Sequence, residues 1–211
     1  MSVAVKICGI TRTDDAALAA GAGADYLGLN FWPGSKRHVT VAAACPLADA
    51  ARAAASGVRL VGLFVDQPAD VIIAAAVALA LDAVQLHGDE PPELVAALTT
   101  AGLVVWKAHA VRDAATVAGL SAWPAAAHVL DAPSPGRGGS GARFDWALAT
   151  AAVAAGHRVV LAGGLTADNV AAAIAQVQPF AVDVASGVES APGHKDPARM
   201  RAFLAAARGV D

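Results

Sequence analysis

Charge is scarce in this 211-residue chain: Asp, Glu, Lys and Arg make up 16% of it, and the formal net charge is −3. No basic field is available to hold nucleic acid by its phosphates. Aromatic residues, at 5%, are too few to build base-stacking platforms. Cysteine occurs only as Cys8 and Cys45, without metal-ligand spacing, which predicts free thiols in a reducing compartment. Long apolar runs are missing as well. The longest, Val71 to Leu81, stops at Asp82, well short of the roughly 20 residues a membrane helix needs. The first residues show no charged leader followed by an apolar stretch and a cleavage site, so no secretory signal is expected. These absences predict a soluble, cytoplasmic globular protein with neither nucleic acid nor membrane as partner. Its 56% hydrophobic content is carried by alanine more than by bulky side chains, and its length predicts one domain spanning residues 1–211.

What is present is a monotonous alternation. Runs of Val, Ile and Leu at 3–8, 25–30, 59–65, 83–87, 103–109, 128–132, 158–162 and 180–185 predict eight strands. Ala/Leu-rich segments at 13–22, 42–56, 69–80, 91–101, 111–119, 145–155, 166–176 and 197–208 predict a helix after each. Thr13, Thr166 and Pro91-Pro92 read as helix starts, and Gly21, Gly57, Gly102 and Gly156 as helix ends. Eight β–α units require a parallel sheet, because parallel strands need crossover connections. An open doubly wound sheet fits the same alternation. Closure into a single (β/α)8 TIM barrel is favoured by the regular unit of about 26 residues and by "CGITRT", which lacks the G-x-G-x-x-G spacing of a dinucleotide site.

In a barrel of this kind the chemistry gathers at the C-terminal strand ends. Polar residues collect there: Cys8, His87, His109 and Asp131 end strands 1, 4, 5 and 6, while Gly163-Gly164 and Ser186-Gly187 follow strands 7 and 8. Alternation along a strand places Lys6 on the face of Cys8 and turns Asp183 inward. Closure makes strands 1 and 8 neighbours, so Lys6 and Asp183 are expected to pair. A thiol acts once deprotonated, and a nearby cation such as Lys6 favours the thiolate. A buried carboxyl such as Asp131 can keep its proton near neutrality and serve as a general acid. The glycines after strands 7 and 8, and the glycine-rich stretch "SPGRGGSGARFDW", suit a phosphate or a lid. Lys36 and Arg37 in "NFWPGSKRHV" can grip a carboxylate. Taken singly, each feature has a plain reading: a buried inert thiol, scaffold histidines, a solvated basic pair, a flexible glycine loop. Their convergence on one end of the predicted barrel is the argument for a site.

Several stretches, in order and spanning nearly the whole chain, resemble the phosphoribosylanthranilate isomerase family of tryptophan biosynthesis: "VKICGIT", "GADYLGLNFWPGSKRHV", "LVGLFVDQ", "VQLHGDE", "LDAPSPGRGGSGARFDW", "LAGGLTADNV" and "VDVASGVESAPGHKD". The resemblance implies a single barrel, a small phosphorylated substrate, no cofactor and no metal, in a monomer or homodimer. It implies Cys8 as general base and Asp131 as general acid of an Amadori rearrangement, with Arg37 against the anthranilate part. It places Gly139, Gly141, Gly163, Gly164, Ser186 and Gly187 on the phosphate, with His87 and Asp183 lining the site. The chain departs from the family pattern in "VDVAS" and "LDAP", where a serine is often found. Two rival functions use the same residues: a metal-dependent sugar-phosphate epimerase holding its metal with His87, His109 and Asp131, and a non-catalytic barrel that only binds a phosphorylated ligand.

Overall fold

β-branched and leucine side chains in short runs, each closed by Gly, Asp or Pro, favour strands, and the alanine-rich segments between them favour helices. In the computed structural model, which describes residues 3–133 and 144–209, the strands are β1 (Ala4–Cys8), β2 (Tyr26–Asn30), β3 (Arg59–Phe64), β4 (Ala83–Leu86), β5 (Val105–Ala110), β6 (Ala127–Asp131), β7 (Val159–Leu161) and β8 (Ala181–Val184). They pair in parallel in chain order and close into a barrel through β1 and β8. The open sheet is thereby excluded. Helices α1 (Thr13–Gly21), α2 (Val41–Ala54), α3 (Ala69–Leu79), α4 (Pro92–Thr100), α5 (Ala114–Ala118), α6 (Trp146–Ala154), α7 (Val170–Val177) and α8 (Pro197–Arg208) surround it.

Two apolar layers follow from the pleat. Val61, Trp106, Ala108, Val129, Val160 and Ala181 fill the barrel interior, with Tyr26 set edge-on against Trp106 at 5.0 Å between ring centroids. The alternate residues, such as Val5, Leu27, Leu60 and Val182, pack outward against the helices. Alanines at interior positions leave room for the two large rings, which is how an alanine-rich chain still fills its barrel.

Several local expectations are corrected. The helix expected at Thr166 begins at Val170, because Asn169 ties the preceding turn: its Oδ1 accepts from the Thr166 N–H at 2.9 Å and its Nδ2 donates to the Gly164 carbonyl at 2.9 Å. The first helix does start at Thr13 as expected, after Arg12 in extended conformation. The fifth helix is short and passes into a 3-10 turn over Gly119–Ala122. A two-stranded hairpin, β9 (Glu189–Ala191) with β10 (His194–Lys195), follows β8 and was not expected.

His109 is also displaced from its expected role. Ala108 occupies the interior, so His109 turns outward, with Nε2 3.1 Å from Nδ1 of His128 and its ring edge-on to Trp123. The last polar residue of a strand is not automatically the inward one. Burial, reinforced by His128 and Lys107, pushes His109 down to about 3, and burial with His157 pushes His128 down to about 4. Both titrate near 6.5 when unfolded. The unfolded chain therefore binds more protons between roughly pH 6.5 and 4, and stability held above that window is lost as pH falls through it. Lowering the pH from 7 to 4.5 is expected to reduce Tm less in His128→Leu than in the original chain, by about 5 °C. Equal losses in thermal melts of the two proteins would exclude the histidine pair as the cause.

Candidate active site

β1 and β8 build one wall of the site. Their register sets Lys6 beside Asp183, and Lys6 Nζ donates to Asp183 Oδ2 at 2.9 Å, as closure predicts. Lys6 is fully buried, so an unpaired ammonium there would be costly, and the pair satisfies it. The second Asp183 oxygen, Oδ1, is buried without a hydrogen-bond partner among the described residues, although Asp183 lines the cavity. Cys8 ends β1 and is buried. Burial pushes its thiol above the ordinary range; the charges of Lys6 and Lys195 oppose this, and Asp183 adds to it. The cation expected to activate the thiol is present, but desolvation outweighs it. Gly9, at φ +75°, turns the chain away just after the thiol, and a side chain there would collide with Arg37 Cδ.

Asp131 ends β6 on the opposite side. Its Oδ1 accepts from the Ala132 N–H at 2.8 Å. Burial raises its carboxyl to about 6 against the pull of that N–H, with the Asp183 charge adding to the rise. His87, after β4, places Nε2 3.7 Å from Asp131 Oδ2, and its Nδ1 lies 3.0 Å from Gln85 Nε2. Gly163, at φ +82°, comes so close that a Cβ would stand 2.9 Å from Asp131 Oδ1. Gly164 continues in the left-handed region at φ +63°. The 3-10 turn Ser186–Val188 faces these glycines across the end of β8.

Arg37 reaches the site from the loop after β2. Asn30 organises that loop, accepting from the Trp32 N–H at 2.9 Å and donating to Ser35 Oγ at 3.1 Å; Ser35 Oγ in turn accepts from the Arg37 N–H at 3.1 Å. The guanidinium is held by Glu189 through a two-point fork, Nε to Oε1 at 2.7 Å and Nη2 to Oε2 at 2.6 Å. Glu189 and Lys195 escaped the sequence reading. The available signal was Pro192-Gly193 between them, a turn dipeptide that marks a hairpin.

A cavity of about 430 Å³ is lined by Cys8, Arg37, His87, Asp131, Gly163, Gly164, Asp183, Ser186 and Gly187. The residues that the resemblance places in the site, within the described range, thus meet in one place, without His109; Gly139 and Gly141 lie outside that range. A neighbouring cavity of about 490 Å³ shares His87 and Asp131 and extends toward Lys107, Arg112 and Trp123. The metal-ligand set of the epimerase rival is not assembled: His109 lines that neighbouring cavity with His87 and Asp131, but its Nε2 is engaged with His128, and no three His, Cys, Asp or Glu side chains converge for a metal among the described residues. The site has a buried acid, a buried thiol, backbone amides at two glycine turns and one guanidinium. That set can transfer protons at two atoms of an anionic ligand held at both ends.

Comparison with known proteins shows the family of the chain. The family model described as N-(5′-phosphoribosyl)anthranilate isomerase matches residues 5–206. A relative from Pelobacter propionicus, named N-(5′-phosphoribosyl)anthranilate isomerase, is 47% identical over 98% of this chain and 96% of its own length. The crystal structure of phosphoribosyl anthranilate isomerase from Thermotoga maritima superposes with a TM-score of 0.90 at 39% identity, covering 98% of this chain and 99% of that one. Another solved isomerase, in complex with reduced 1-(o-carboxyphenylamino)-1-deoxyribulose 5-phosphate, superposes with a TM-score of 0.87 at 36% identity, covering 98% and 99%. With the model matched from the first strand to the last helix, the chain belongs to the N-(5′-phosphoribosyl)anthranilate isomerase family, enzymes of tryptophan biosynthesis.

Proposed function

We propose that this chain converts N-(5′-phosphoribosyl)anthranilate to 1-(2-carboxyphenylamino)-1-deoxyribulose 5-phosphate, with Asp131 as general acid and Cys8 as general base. The observation that carries the reading is the pairing, across one cavity, of a carboxyl raised to about 6 with a buried thiol on the far strand. Asp131 donates its proton to the ribose ring oxygen as the C1′–O4′ bond breaks and the anilino nitrogen lone pair forms C1′=N. The Cys8 thiolate then removes the C2′ proton. The C–H electrons become C1′=C2′, and the nitrogen regains its lone pair. The resulting enolamine tautomerises to the ketose, losing the O2′ proton and gaining one at C1′. Neither step calls for a metal or a redox cofactor.

The remaining residues bind. Backbone amides at Gly163, Gly164, Ser186 and Gly187 take the phosphate, as amides at glycine turns and helix starts do. Arg37 faces the anthranilate carboxylate, and the unpartnered Asp183 Oδ1 is an acceptor for a ribose hydroxyl. The ligand named for the solved relative carries this same combination, a carboxyphenyl group at one end and a phosphate at the other.

The test uses the fluorescence of the substrate's anthranilate group. Purified protein is expected to quench freshly made phosphoribosylanthranilate far faster than its spontaneous decay, yielding a product that borohydride reduces. Decay at the spontaneous rate alone would leave the ligand-binding barrel as the correct reading. Activity that required stoichiometric bound metal would favour the epimerase.

A further inference from the structure

The hairpin that follows β8 lines the cavity with Pro192 and sets behind its wall two buried charges, Glu189 and Lys195, that the proton-transfer scheme does not use. The Glu189 and Lys195 side chains are almost fully shielded from solvent, at 5% and 0% exposure. All three Lys195 ammonium hydrogens are engaged: Nζ lies 2.6 Å from the Cys8 carbonyl, 3.1 Å from the Ala185 carbonyl and 2.9 Å from Glu189 Oε1. Two of those acceptors lie at the end of β1 and just beyond the end of β8, the strands leading to the thiol and to the Ser186 turn. Glu189 is itself fixed from three sides. It accepts the Arg37 fork and the Gly193 N–H at 3.2 Å, and its carbonyl accepts from Arg199 Nη1 at 2.6 Å. The Lys195 N–H donates to Asp15 Oδ2 at 3.1 Å, anchoring the hairpin to α1.

Buried ion networks are a poor way to gain stability, because desolvation consumes most of the attraction and apolar packing does as well or better. Two cations around one carboxylate, at the wall of a cavity rather than in the core, call for another explanation. The Glu189 fork occupies Nε and Nη2 of Arg37, which fixes the guanidinium plane and leaves Nη1 without a hydrogen bond among the described residues. The cluster keeps one net positive charge beside the cavity.

We propose that Glu189 and Lys195 are positioning residues of this site: Glu189 aims Arg37 at the anionic end of the substrate, and Lys195 locks the backbone that carries Cys8 while holding a cation near its thiol. This rests on the isomerase reading above, and goes beyond it by assigning work to the hairpin. The two act through others and touch no reacting atom. Burial pushes Glu189 up, but Arg37 and Lys195 hold it below the usual carboxylate range, so it stays charged across neutral pH.

The test is made in a Cys45→Ser background, where Cys8 is the one thiol. Glu189→Gln, which keeps the volume and removes the charge, is expected to raise KM for phosphoribosylanthranilate about tenfold while kcat falls less than threefold. Lys195→Met is expected to move the pH midpoint of Cys8 alkylation by iodoacetamide upward by about one pH unit, since removing a nearby cation disfavours the thiolate. A purely structural role would lower Tm and leave both readouts unchanged. If either variant fails to fold, Glu189→Asp or Lys195→Arg replaces it; each keeps its charge at an altered reach, and the same shifts are expected at smaller size. KM and alkylation midpoint both at their original values in folded variants would overturn the proposal. Absence of turnover in the unmutated protein would instead count against the isomerase reading itself, and full turnover in Cys8→Ala against Cys8 as its base.

Discussion

Cys8→Ala is expected to fold normally and to lose about 10³-fold or more in kcat, within the range removal of a positioned general base produces. The fold tolerates the change because Lys6, the charge beneath the thiol, keeps its ion pair with Asp183 when its contact with the sulfur is lost. Substrate affinity should change little, since the contacts assigned to phosphate and carboxylate lie on other elements. Cys45 provides the control. It is exposed on α2, its thiol 3.4 Å from the Val41 carbonyl, and Cys45→Ala should leave turnover unchanged. Steady-state kinetics on the two alanine variants, with melting curves, separates a lost base from a damaged protein. A Cys8→Ala enzyme within threefold of the original rate would remove Cys8 from the mechanism.

Asp131→Asn is expected to cost 10²- to 10⁴-fold in kcat for the complementary reason. The amide keeps an oxygen for the Ala132 N–H, so the strand end is undisturbed, but it has no carboxylic proton to give. The unmutated enzyme should also show a characteristic pH profile. The acid must be protonated, with a carboxyl near 6, and the base deprotonated, with a thiol above its ordinary range. The reactive combination is then a minority form at every pH. Its population rises up to about pH 6, stays level until the thiol titrates, and falls beyond. A profile of kcat/KM against pH checks this, and a maximum confined below pH 5 would contradict the assignment of roles.

The barrel was legible because its cause is repetitive: eight apolar runs with eight alanine-rich segments leave few ways to bury both faces of each strand. Even the Lys6–Asp183 pair followed from two facts of geometry, alternation and closure. The plain reading of His109 as a scaffold histidine holds, and its position at a strand end alone does not give its parity; Ala108, small and unremarkable in sequence, is the interior residue. The start of α7 lies four residues beyond the expected one, because Thr166 offers a capping hydroxyl while Asn169 makes the actual bonds. The hairpin was invisible for a different reason. Two- and three-residue strands carry no periodicity, and the partners that bury Glu189 and Lys195 lie more than 150 positions away, on Arg37 and Cys8. Sequence patterns report local burial well, and say little about which distant charges will meet.

The central claim is that the Cys8 thiolate breaks the C2′–H bond of an imine that Asp131 has opened. Single-turnover conversion of phosphoribosylanthranilate carrying deuterium at C2′, compared with the protium substrate, tests it most directly. The unmutated enzyme is expected to convert the deuterated substrate more slowly, and Cys8→Ala to convert neither measurably. Equal rates for the two substrates together with undiminished conversion by Cys8→Ala would contradict it.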